Sequence, residues 1–202
     1  MNISLRSRVI FQSPVGRPFT GRQAGRKGPP YNFMVALLAL VAVLAMMLAE
    51  QRVSTSNERW LRLQGAVEPS RDVYRTMRWA YPIAFVAMAI EGAVFGPAPG
   101  VSTAIGAAMF VAAKALKVWA IASLGRRWTF RVLVLPGAPL VAHGPYAFAR
   151  HPNYIAVMGE LIGMALLVGA RVSGPLATIL FGLLIRSRIT VEEDALRHPP
   201  CT

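Results

Sequence analysis

An all-α fold, an integral membrane helical bundle of about five transmembrane helices ending in a C-terminal helical hairpin, is predicted by three features of this 202-residue chain. Its residues are 54% hydrophobic and only 15% charged, a balance uncommon in water-soluble domains. Phe33 to Ala49 contains no charged residue, and Glu91 is the one charge between Arg78 and Lys114. Arginines gather beside these apolar runs instead of within them. A helix rises about 1.5 Å per residue and the hydrocarbon core is about 30 Å thick, so runs of roughly 17 to 25 apolar residues can span it.

The formal net charge of +13 invites a nucleic-acid partner. Basic residues flanking apolar segments are, however, what membrane topology itself demands, so no nucleic-acid partner is expected and membrane lipids are. The single cysteine, Cys201, excludes an intrachain disulfide and a multi-cysteine metal site, and no metal is expected. Its setting, Pro-Pro-Cys-Thr, does not match a prenylation box and reads as a solvated tail.

Residues 1–32 are rich in Arg, Gly, Pro, Ser and Gln without apolar periodicity, and are expected to be a disordered basic tail. Residues 33–202 form the membrane domain. The apolar run ends at Glu50-Gln51-Arg52 without a small-residue cleavage site, so residues 33–49 read as a retained first helix and not as a secretory signal. Residues 50–78 mix six arginines with four acids and predict a partly helical, surface-lying connection. Gly96-Pro97-Ala98-Pro99-Gly100 breaks the next apolar stretch into helices over about 79–95 and 101–123. Lys114 and Lys117, one turn apart near the end of the latter, are expected to snorkel to the interface, with substrate contact the alternative.

Residues 124–150 form a turn-rich connection with a β-prone run at 131–135. The hairpin follows: residues 154–170 are apolar apart from Glu160, Ser173-Gly174-Pro175 predicts a turn, and Leu176 to Ile185 lead to a charged end. The second arm is short. It either continues through Arg186 and Arg188 or leaves the hairpin short of a full crossing. Counted from the turn, the His151 region lies about 20 residues up one arm and residues 188–193 about 15 down the other, roughly 30 and 22 Å, so both polar clusters meet at one membrane face. Pro152 suits a first helical turn, and Arg188, Glu192 and Leu196 share one helical face.

Three segments in this order, Gly144-Pro145-Tyr146, Arg150-His151-Pro152-Asn153-Tyr154, and Arg188 through Glu192-Glu193 to Leu196, resemble the isoprenylcysteine carboxyl methyltransferase family. The resemblance covers roughly residues 100–197. The upstream stretch Asn57-Glu58-Arg59-Trp60-Leu61 to Gly65-Ala66-Val67-Glu68 is similar to a bacterial branch that accompanies type III polyketide synthases and O-methylates alkylpyrones or related lipids. The resemblance implies a site for S-adenosylmethionine bounded by Gly144, Tyr146, His151, Pro152, Tyr154 and Glu192, with Arg188 orienting the acceptor oxygen and Glu192 at the reacting end. Taken one by one, the same residues have plainer readings: Tyr154 as an interfacial anchor, Arg188 with Glu192 as an i,i+4 pair, Glu160 as a buried hydrogen-bonding group.

These readings predict a membrane-embedded S-adenosylmethionine-dependent O-methyltransferase acting on a lipidic small molecule, an alkylpyrone or phenolic lipid before a prenylcysteine carboxylate. Its functional link would be to a type III polyketide synthase. An NADPH-dependent sterol-type reductase is the enzymatic alternative, because that architecture also uses an Arg-His-Pro-Asn-Tyr segment. A small transporter or scaffold is the third. The supply of the cofactor and the arginines at 52–78, 126–150 and 186–197 predict a bacterial inner-membrane protein with its site facing the cytosol. Five crossings then put the N-terminus outside, against the charge of residues 6–27, which points to Met34 as the biological start.

Overall fold

Residues 30–69, 73–96 and 100–197 are described by the computed structural model, and the expected N-terminal tail and Cys201 lie outside them. Five helices run alternately up and down: α1 (Pro30–Leu63), α2 (Tyr74–Phe95), α3 (Val101–Leu124), α4 (Pro152–Val168) and α5 (Ser173–Arg197). Two single 3-10 turns, Gly125–Arg127 and Gly144–Ala147, punctuate the long α3–α4 connection. Four of the helices, all but α4, are long and apolar enough to cross a membrane. Large apolar side chains such as Leu38, Trp79, Ile83 and Ile179 face outward, as a lipid solvent allows.

Two expectations need correction, and one alternative left open is decided. Residues 50–63 are not a surface-lying connection but continue α1, which reaches 34 residues, or about 51 Å. Ser54, Asn57 and Leu61 are buried along one side of this extension, at i, i+3 and i+7, so one helical face is packed although the others are charged. Ser173-Gly174-Pro175 is the opening turn of α5, where a proline removes no established bond. The chain reverses just before it, at Gly169, which adopts φ +73° while the Ala170 N–H reaches back to the Ala165 carbonyl at 2.8 Å. Finally, α5 does continue through Arg186 and Arg188, for 25 residues, and the shorter arm of the hairpin is α4 with 17.

The core lies where α1, α2, α4 and α5 meet. Phe85 and Met88 of α2 and Leu161 and Met164 of α4 are fully buried, and Tyr81 packs edge-on to Phe85 with ring centroids 4.9 Å apart. Helix α3 joins through small residues. A Cβ on Gly163 would stand 2.7 Å from the Phe110 backbone nitrogen, and one on Gly106 would stand 2.3 Å from that of Leu167. Such spacing lets two helix backbones touch, which supplies van der Waals contact where lipid provides no hydrophobic drive.

At the end where α2, α4 and α5 meet the turn, Glu91 of α2 takes the role of a cap for another helix. Its carboxylate accepts from the N–H groups of Val172 (2.9 Å) and Ser173 (2.7 Å) and from the Ser173 hydroxyl. N–H groups at the start of a helix have no partner within it, and they form the positive end of its dipole.

Candidate active site

The opposite end of the bundle is polar. It is built from the C-termini of α1, α3 and α5, the N-termini of α2 and α4, and the connection 125–151. The extension of α1 holds this connection in place: Asn57 Nδ2 donates to the carbonyls of Trp128 (2.8 Å) and Gly125 (3.2 Å), and the Ser54 hydroxyl accepts from Phe130 N–H at 2.8 Å. Beyond it, Val67 and Val134 exchange backbone hydrogen bonds of 2.9 and 3.0 Å in an isolated antiparallel bridge, within the stretch read as β-prone.

Glu68 fastens the same roof by binding Arg62 and, at 2.6 Å, Arg131 Nη1. Burial alone would raise the Glu68 carboxyl, but the two guanidinium groups hold it below its ordinary value of 4.5. A lowered folded-state value contributes stability that is present above pH 4.5 and is lost as pH falls through that lower value. Glu68→Gln should therefore lower the thermal transition at neutral pH and flatten its decline on acidification. A pH series of melting curves in detergent checks this, and an acid limb as steep as that of the wild type counts against it.

Under this roof the hairpin brings its two charged ends together. Tyr154, in the first turn of α4, donates its hydroxyl to Glu192 Oε2 at 2.8 Å and accepts from Arg188 Nε at 2.9 Å. Arg188 and Glu192 are thus joined through a phenol, which goes beyond the plain i,i+4 pair and the interfacial anchor. Arg188 is 5% exposed, donates also to the Phe130 carbonyl and lies 3.9 Å from Met77 Sδ. His151 stacks on Tyr154 with centroids 5.5 Å apart, its Nδ1 3.9 Å from Glu192 and its Nε2 3.6 Å from Glu193. Pro152 is buried as the first residue of α4.

A cavity of about 990 Å³ opens beside these groups and includes Tyr146, His151, Tyr154, Arg188 and Glu192 in its lining. Burial, with the Glu192 charge behind it, pushes the Tyr146 hydroxyl well above its ordinary range and keeps it a neutral donor. Gly144 does not line the cavity: its φ is +62°, and a Cβ there would stand 2.2 Å from Ser123 Oγ of α3. This glycine lets the connection lie against α3 and so places Tyr146 two residues on.

The cavity also runs inward between the helices, to Tyr81, Glu50 and Lys117. Here the structure departs from the expected snorkelling. Lys117 is 1% exposed, and both lysines of α3 turn into the bundle. Lys114 Nζ lies 3.0 Å from Glu50 and 3.0 Å from Glu160; Lys117 Nζ lies 2.8 Å from Glu50 and 3.4 Å from Glu160. Glu160, fully buried, also accepts from the Tyr81 hydroxyl. Two lysines and two glutamates from α1, α3 and α4 make a quartet whose formal charge is zero. Glu50 Oε2 and Glu160 Oε1 lie near Lys117 but have no well-aligned hydrogen bond among the described residues.

A methyltransferase embedded in the membrane is the class to which these features lead, because residues 105–198, which carry α4, α5 and the polar connection, match the family model for isoprenylcysteine carboxyl methyltransferases. The uncharacterized protein YpbQ of Bacillus subtilis is 33% identical over 161 residues, covering 79% of this chain and 95% of that protein. An uncharacterized protein of Haemophilus influenzae is 25% identical over 162 residues, 80% of this chain and 94% of its own. The chain belongs to the isoprenylcysteine carboxyl methyltransferase family. No solved structure matches it.

Proposed function

We propose that this protein is an S-adenosylmethionine-dependent O-methyltransferase whose acceptor is a lipid with an acidic aromatic head, such as a long-chain pyrone or resorcinol, and whose site faces the cytosol from a bacterial inner membrane. The observation that carries this reading is the Arg188–Tyr154–Glu192 chain on the wall of a cavity that begins at the polar end and continues between the helices. A site for a water-soluble acceptor would not need the inner half. The extension around Asn57 to Glu68 holds the connection that lines this cavity, and its likeness to the polyketide-associated branch supports that acceptor over a prenylcysteine.

The side chains fit the cofactor. His151 Nε2 and Asn153 Oδ1 are buried without a hydrogen-bond partner among the described residues, and both residues line the cavity. They are suited to the polar groups of the cofactor's amino acid and ribose, with Glu192 and Glu193 for its ammonium and Tyr146 as an aromatic wall. When bound, S-adenosylmethionine supplies a methyl group made electrophilic by a sulfonium. Arg188 then orients the acceptor oxygen, since its guanidinium is itself fixed by the Tyr154 hydroxyl and the Phe130 carbonyl. An oxygen already ionised needs no base, while for a weakly acidic phenol Glu192 or His151 can take the proton. Apolar walls exclude water, and alignment supplies much of the acceleration.

Isothermal titration with S-adenosylmethionine and with NADPH separates this reading from a reductase. We expect binding of the former alone. His151→Ala should weaken it about fivefold to tenfold, the effect of one hydrogen bond of about 1 kcal/mol, with the helices intact. Equal affinity of the two proteins would remove His151 from the cofactor site. Labelled methyl transfer to alkylpyrones, alkylresorcinols and prenylcysteines then decides the acceptor, and preference for the prenylcysteine carboxylate overturns the substrate proposed.

A further inference from the structure

The reaction above uses the polar end of the cavity for chemistry and its inner half for an apolar tail, which leaves the charged groups at the inner end without a task. Glu50, Lys117 and Tyr81 form that end, while Lys114 and Glu160 stand behind them. Packing alone gives little reason to keep four charges there. Replacing a buried ion pair by apolar side chains of similar volume is often neutral or stabilising. Ionisable groups inside a membrane protein usually mark the path or the site of a ligand.

The geometry says what kind of ligand. An ammonium has three N–H groups, and Lys117 has two carboxylate oxygens nearby, Glu50 Oε2 at 2.8 Å and Glu160 Oε1 at 3.4 Å. That leaves one N–H at the cavity's end, where the Tyr81 ring is the other neighbour, 5.3 Å from Nζ. Glu50 Oε2 meets no other donor than Lys117 among the described residues and so keeps a lone pair to offer. A donor and an acceptor thus stand side by side. A hydroxyl meets both at once, whereas a carbonyl can only accept. Because the quartet is formally neutral, a charged group placed beside it would be left uncompensated in a low dielectric, so the group held there is itself neutral.

We infer that Glu50 and Lys117 form a second binding subsite, one that holds a neutral hydroxyl on the hydrocarbon chain of the lipid acceptor. The inference rests on reading the protein as a lipid O-methyltransferase. Tyr154 and Glu160 are six residues apart on α4, so the subsite lies roughly 9 Å deeper than the reacting oxygen.

The test is a competition counted by native mass spectrometry of the detergent-solubilised protein. The probes are pentadecylresorcinol and the same molecule with one hydroxyl stepped along its chain, mixed in equal amounts. The wild type should capture the hydroxylated chain about tenfold better when the oxygen lies roughly 9 Å from the ring, the value of one hydrogen bond to a charged group. Because Lys117→Ala alone can fail to fold, the variant is the charge-balanced Glu50→Leu/Lys117→Met, which keeps the Lys114–Glu160 pair. It should lose the preference while binding the plain chain and S-adenosylmethionine like the wild type. Equal capture of both chains by the wild type, capture of neither, or a preference that survives in the double variant makes the quartet a structural strut and overturns the subsite. Methyl transfer followed in the same samples reports on the reaction itself, and it can fail without changing the capture ratio.

Discussion

Arg188→Ala is expected to reduce turnover by about two to three orders of magnitude, as the loss of one preorganised donor does elsewhere, while S-adenosylmethionine affinity changes little. The side chain is buried, and its Nε and one terminal nitrogen are already committed to Tyr154 and Phe130. Its direction is therefore set before any acceptor arrives. Removing it also frees the Tyr154 hydroxyl, so the phenol keeps Glu192 but loses its second anchor. Arg188→Lys should recover little of the rate, because a single ammonium cannot donate along both fixed directions. Single-turnover rates with saturating cofactor, set beside titration of the cofactor alone, separate the two effects. Turnover equal to that of the wild type would return Arg188 to a purely structural role.

The second large effect concerns stability. Glu160→Leu should destabilise the protein by about 3–5 kcal/mol, the usual cost of stranding a buried charge. Two lysines then face Glu50 alone, and the Tyr81 hydroxyl loses its acceptor. Glu160→Leu/Lys114→Met should recover most of that loss because the quartet is cut to one balanced pair. Reversible unfolding in mixed micelles measures both. If the double variant is no better than the single, the four charges do not act as a unit.

The number of helices and the break between α2 and α3 were legible because an apolar run of spanning length and a pair of prolines have few other meanings. The pairing of the hairpin's ends was legible too: counting residues from the turn places His151 and Arg188 at one face, and the structure joins them through Tyr154. The helical nature of residues 50–63 was harder to read. Five charged residues among fourteen suggested a surface segment, although the spacing of Ser54, Asn57 and Leu61 already described a buried stripe. The quartet was missed for a different reason. Lys114, Lys117 and Glu160 were each visible as isolated charges, but their attraction depends on the relative depths of three helices, and that depends on how closely Gly106 and Gly163 let α3 and α4 approach. The Phe130 carbonyl left no trace in the sequence, since any residue at that position would carry it.

The cap that Glu91 provides has a consequence for α5 as a ruler. Its first turn is pinned to α2 at Ser173, and the far end is pinned at Arg188 by Tyr154 and Phe130. Fifteen residues lie from one pin to the other, and each adds about 1.5 Å of travel and about 100° of rotation. A single insertion or deletion between the pins would turn the guanidinium away from the cavity, whereas the same change in the part of the connection between residues 135 and 143, which carries neither partner of Arg188, would disturb its aim far less. Length variation among related chains should therefore collect outside this interval, and α5 has no freedom to slide as a piston when a lipid enters.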